Sequence, residues 1–136
     1  MFRLPFLSFS LHVLLPLIVG IFIYFLFRGV PFLGLHSVLN ISKNNILIVF
    51  LLFNLPDGLW LYAFLSVINQ IWGESKKGLF WLITVFILTI SSEFLQRLHI
   101  IPGTFDWLDI ITYSLTFLIF NLFHRNLFLT NLYLTS

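Results

Sequence analysis

The sequence predicts an all-α polytopic membrane protein, a bundle of four transmembrane helices with a short interfacial or re-entrant segment before the second. Three observations predict it. Hydrophobic residues make up 60% of the chain and charged residues 9%, where a soluble domain has roughly 45–50% and about 25%. The mean hydropathy is +1.04. The length of 136 residues has room for about four segments of the ~20 apolar residues that cross a hydrocarbon core of about 30 Å, and for little else. A single domain over residues 1–136 is expected, with any function built in or at the bilayer.

The first span is expected at 5–27, between Arg3 and Arg28. Its apolar stretch exceeds the roughly 7–15 residues of a signal-peptide core and ends in Phe27-Arg28 without a small-residue cleavage site, so it reads as a retained span. Pro16 removes one backbone hydrogen bond inside it and predicts a mild kink, which neighbouring helices tolerate. A loop over 28–45 carries Gly34, His36 and Lys43. The run 46–53 is too short to span, and Pro56 disfavours a helical Leu55 before it. It is placed in the interface or dipping beside other helices, with one long kinked helix from Asn45 as the alternative. The second span follows at 55–72, the third at 78–99, stopped by Pro102-Gly103, and the fourth at 104–124. Trp60, Trp72, Trp81 and Trp107 fall near span ends, as an interfacial aromatic belt requires.

Orientation rests on the excess of Lys and Arg in short cytoplasmic loops. Arg3, Lys76, Lys77 and Arg125 lie on one side, Arg28, Lys43 and Arg97 on the other. Both termini are therefore expected in the cytoplasm. The formal charge of +2 comes from singly scattered basic residues apart from Lys76-Lys77, which excludes a nucleic-acid patch. Cys is absent, so disulfides and thiolate metal sites are excluded.

With this topology four of the five acidic residues, Asp57, Glu93, Asp106 and Asp109, converge at one membrane face. Asp57 in "NLPDGLW" can cap the second span. With Thr104 as cap, Asp106 falls in the first turn of the fourth span, where a negative charge gains roughly 0.3–1 kcal/mol. Asp109 lies a turn deeper, on one face with Asp106 and Tyr113. Glu93 is the least explained, because the dipole at the end of the third span disfavours it; Arg97, four residues on, offers a structural ion pair. Gln96 lies one turn from Glu93. Ionisable residues in a membrane are costly and face a bundle interior or a wet cavity, so Asp57, Glu93, Gln96, Asp106 and Asp109 are expected to share a polar pocket, tempered by Arg97 and Arg28, with Trp107 and Tyr113 available to pack on rings.

Other residues point elsewhere. His12 and His36 are isolated, and His99 and His124 sit at helix ends, where histidine commonly satisfies carbonyls; no metal site and no cofactor are expected. Ser91 and Ser92 beside Glu93 offer a nucleophile, but serine in membrane helices more often bonds back to a carbonyl or packs at a helix contact. No Ser-His-Asp, zinc-protease or phosphate-loop pattern occurs.

Glu93-x-x-Gln96, a short loop ending Gly103-x-Phe105-Asp106, and Asp109 just inside the next helix resemble the core of the VanZ-like membrane proteins, named for a teicoplanin-resistance protein. The resemblance covers about 86–120. Where the family places an Asn and a Gly after the last Asp, this chain has Thr112, Tyr113 and Ser114, the mark of a divergent branch. It implies a small multi-span protein of the cell envelope, linked to tolerance of lipophilic glycopeptides.

The primary reading is a binding or protective protein of the bacterial inner membrane. Its acidic pocket at the outer face would engage a cationic or hydroxyl-rich head group of a lipid-linked envelope intermediate, or of a drug directed at one. Membrane lipids are the expected partners, with no nucleic acid. A second reading is a membrane-embedded enzyme whose carboxylates hold Mg²⁺, Ca²⁺ or Mn²⁺ or divide into acid and base. A third is an accessory subunit whose Phe-rich exterior meets a protein partner in a larger envelope complex.

Overall fold

The computed structural model describes residues 6–27, 48, 50–73 and 75–124, and among them the chain is helical with no strand. Four helices follow in order. Helix α1 comprises Phe6–Phe9, a π-helical turn Ser10–Leu14 and an α-helix Leu15–Phe27. Helix α2 comprises a second π-helical turn, Phe50–Asn54, and an α-helix Leu55–Trp72. Helices α3 and α4 are Lys76–Arg97 and Trp107–Phe123. Two helical stretches, Ser10–Phe27 and Lys76–Arg97, are long and apolar enough to cross a membrane.

The two π turns share a sequence cause. Each stands directly before a Leu-Pro pair, Leu15-Pro16 in α1 and Leu55-Pro56 in α2. Proline has no N–H to donate to the carbonyl four residues back, and its ring crowds that carbonyl. A locally wider turn, with hydrogen bonds reaching five residues instead of four, accommodates both effects without ending the helix. Over 50–54 the chain is helical and continuous with Leu55–Trp72, the course of the alternative kinked helix. Residues 46, 47 and 49, the loop with Arg28, His36 and Lys43, and the residues from Arg125 onward lie outside the described residues.

Helix boundaries follow from caps. Ser75 starts α3, its Oγ accepting from Gly78 N–H at 3.1 Å. Asp106, not Thr104, caps α4: its backbone is extended and Oδ1 accepts from Leu108 N–H at 2.9 Å. The expected first-turn role therefore passes from Asp106 to Asp109. Asp57 does not cap α2 either, since the preceding π turn continues the helix and places Asp57 in the first turn of its α-helical part. Helix α3 stops at Arg97, after which His99 takes a left-handed φ of 56°.

Helix α2 packs against α1, α3 and α4. Leu61, Leu65 and Ile68 of α2 meet Leu82 of α3 and Phe120 of α4 in the core, flanked by Tyr62, Val85, Tyr113 and Phe117. Phe86 and Phe117 stack at 4.3 Å between α3 and α4. Gly58 sets the α2–α4 approach, because a Cβ there would lie 2.7 Å from Thr112 Cγ2 and 2.9 Å from Thr116 Oγ1. Small residues allow such close helix contacts where lipid competes for apolar surface. Hydroxyls satisfy themselves on their own helix: Ser66, Thr84, Thr89, Ser92 and Thr112 all donate to carbonyls three or four residues back. Large apolar side chains cover the exterior, among them Ile18, Phe22, Phe80, Leu88 and Leu118.

Candidate functional site

The end of α3, the turn after it and the start of α4 form one side of the candidate site, and the start of α2 forms the other. The turn is held by Gly103. Its φ of 142° suits only glycine, and a Cβ there would lie 2.6 Å from the Gln96 side chain. Gln96 thus packs under the turn. That packing brings the N-cap of α4 back over the last turns of α3, so that the Glu93 carboxylate accepts from the backbone N–H of Asp106.

Glu93 is 3% exposed, and its Oε2 has no hydrogen-bond partner. Asp109, Asp106 and Asp57 all lie close enough to act on its charge. Three helices therefore deliver their carboxylates to one region, as their spacing in the chain leads one to expect. Asn54, the last residue of the α2 π turn, joins them: its Nδ2 donates to Asp109 Oδ1 at 2.6 Å. Asn54 is also 3% exposed, and its Oδ1 is without a partner. Sequence reasoning missed Asn54. The available signal was a lone amide in the apolar run "FLLFNLP", two residues before a proline.

Arg97 takes a different place from the expected one. Its guanidinium lies over the Phe105 ring at 5.2 Å and near Trp107 at 5.9 Å, and makes no ion pair with Glu93. Arg97 is the last residue of α3, so its side chain is free to turn outward over the aromatic rings, where cation–π attraction holds it. Phe105 and Trp107 meet edge to face at 4.9 Å, and Trp107 is exposed. Arg97 and Trp107 belong to this outer aromatic rim, not to the buried carboxylate group. No group of three or more His, Asp or Glu side chains able to hold a metal ion occurs among the described residues.

A groove of about 420 Å³ opens between α2, α3 and α4, with Asp57 as its acidic lining residue. Asp57, Trp60, Leu61 and Phe64 line it from α2, Val85, Leu88 and Thr89 from α3, and Tyr113 from α4. Its walls are apolar, with Asp57, Thr89 and Tyr113 as the polar points. The arrangement can take an apolar tail along the helices and present acceptor oxygens to a donor-rich head. Ser92 donates to the Thr89 carbonyl at 2.7 Å, the back-bonded state expected of a structural serine. No family model matches the sequence, and neither a curated protein nor a solved structure matches it.

Proposed function

We propose that the chain is a four-span integral membrane protein of the bacterial inner membrane, a divergent VanZ-like protein that binds a cationic or hydroxyl-rich head group of a lipid-linked envelope molecule. The single observation that carries this reading is the pair of orphaned acceptors, Glu93 Oε2 and Asn54 Oδ1, on side chains that are each 97% buried. A buried acceptor without a partner forfeits about 1–3 kcal/mol, more for a charged group. An ammonium or a cluster of hydroxyls donating to both oxygens would recover that loss.

The membrane reading is supported by the exterior. Soluble monomers rarely expose contiguous apolar patches above a few hundred Å², and here Ile18, Phe22, Phe80, Leu88 and Leu118 stand more than half exposed on three helices. Helix α2, over Phe50–Trp72, rises about 34 Å at 1.5 Å per residue, enough to cross. Helix α4, over Trp107–Phe123, rises about 25 Å. Lys76-Lys77, between the second and third spans, supports cytoplasmic termini, and with them carboxylates at the outer face. A lipid could then slide sideways into the groove, with Trp60 and Phe64 along its tail.

The reading implies a part in tolerance of lipophilic glycopeptides, which act on such intermediates. Cells carrying Glu93→Gln or Asp109→Asn, matched to wild type in membrane abundance, are expected to lose the tolerance that the wild-type chain confers. Undiminished tolerance in both variants would sink the proposal.

A further inference from the structure

His12 and His124 come from the two ends of the described chain, and the fold brings their rings to 5.5 Å between centroids at an angle of 68°. His12 sits in the π turn of α1 and His124 caps the C-terminus of α4. His124 follows Asp109 by about 22 Å of helical rise along α4, which sets it apart from the α4 carboxylates.

Both rings are held through Nδ1. His124 Nδ1 lies 3.1 Å from the Phe120 carbonyl oxygen. A carbonyl only accepts, so the proton is on Nδ1 and the lone pair on Nε2. His12 Nδ1 lies 2.7 Å from the Tyr62 hydroxyl, whose oxygen can accept a hydrogen bond from Nδ1–H and leave Nε2 of His12 with a lone pair as well. Phe120, fully buried, stacks on His124 at 4.4 Å and meets the Tyr62 ring edge to face at 6.0 Å, fixing all three rings against one another. Metal-ligating histidines are typically held this way: one ring nitrogen bonded to a fixed oxygen, the other presented to the ion.

From this geometry we infer that His12 and His124 form a two-nitrogen site for a divalent transition metal, of the Zn²⁺ or Cu²⁺ class, which clips α1 to α4. Two imidazoles on one tetrahedral ion, each with nitrogen about 2.0–2.1 Å from the metal, place their ring centroids roughly 5 Å apart, close to the 5.5 Å found. Imidazole nitrogen suits these ions, whereas Mg²⁺ and Ca²⁺ prefer oxygen. With two protein ligands the remaining positions go to water, so the site is an open one. The inference does not depend on the acidic site or on its ligand.

The test is equilibrium dialysis of the full chain in detergent against Zn²⁺, with metal content measured per chain. One saturable Zn²⁺ per chain is expected for wild type, and His12→Ala or His124→Ala should each lower affinity at least tenfold. Tyr62→Phe, which removes only the oxygen behind His12, should lower it about tenfold, and His36→Ala with His99→Ala should leave it unchanged. Binding that survives His12→Ala or His124→Ala undiminished, that vanishes with His36 and His99, or that never saturates would overturn the inference. Cu²⁺ bound to the wild-type chain provides a check that needs no variant: its electron paramagnetic resonance spectrum should carry hyperfine splitting from two imidazole nitrogens, and splitting from one or none would also overturn it.

Discussion

A carboxylate in the last turns of a helix faces the negative end of the helix dipole, so Glu93 is held by something stronger than local preference. One of its oxygens accepts from Asp106 N–H, and the turn that delivers that N–H depends on Gly103. Asn54 does the corresponding work for Asp109 through a 2.6 Å bond. Asn54→Ala should therefore destabilise the chain by about 1–3 kcal/mol, because it leaves a half-buried carboxylate short of a donor; unfolding in mixed micelles measures it, and a double-mutant cycle with Asp109→Asn should show coupling of about 0.5 kcal/mol or more. Gly103→Ala should cost a similar ~1–3 kcal/mol through its φ of 142° and its contact with Gln96. The acidic residues were legible because charge is rare in an apolar chain. The ion pair that Arg97 offered Glu93 does not form, because the Arg97 guanidinium lies instead over Phe105 and near Trp107, rings that four-residue spacing does not reveal. The meeting of His12 and His124 left no local pattern to read, since it depends on how the first and last helices lie across α2.

At the scale of elements, the helices were readable from apolar run length, while their starts depended on particular caps. Asp106 displaced Thr104 as the α4 cap because its carboxylate reaches Leu108 N–H. The two π turns were not foreseen: a proline in an apolar run signals a kink, but whether the chain breaks, bends or widens by one residue is decided by packing. Each π turn presents a polar side chain, His12 from the first and Asn54 from the second, and π turns recur at functional sites. Pro56→Ala restores an N–H to α2 and permits an ordinary α turn over Phe50–Asn54. Removing the extra residue of the turn rotates Asn54 by about 100° about the helix axis. The variant should lose the Asn54–Asp109 coupling in the same double-mutant cycle. Coupling that persists unchanged would show that the π turn does not position Asn54.

For the molecule as a whole, the order of the helices places the start of α2, the end of α3 and the start of α4 at one end, and the α2–α3 turn at the other. The absence of Cys makes single-cysteine reporters clean. Thr104→Cys and Ser75→Cys, both at exposed positions, should react with membrane-impermeant thiol reagents from opposite faces of intact vesicles, Thr104→Cys from the outer one. Labelling of both from the same face would contradict the proposed four-span arrangement.

The central claim is that Glu93 holds a lipid head group. Native mass spectrometry of the wild-type chain released from mild detergent should show one co-purifying lipid per chain with an amine-bearing or polyhydroxylated head, and Glu93→Gln, equally well folded, should lower that occupancy at least tenfold. Equal occupancy in the two proteins, or none in the wild type, would contradict it.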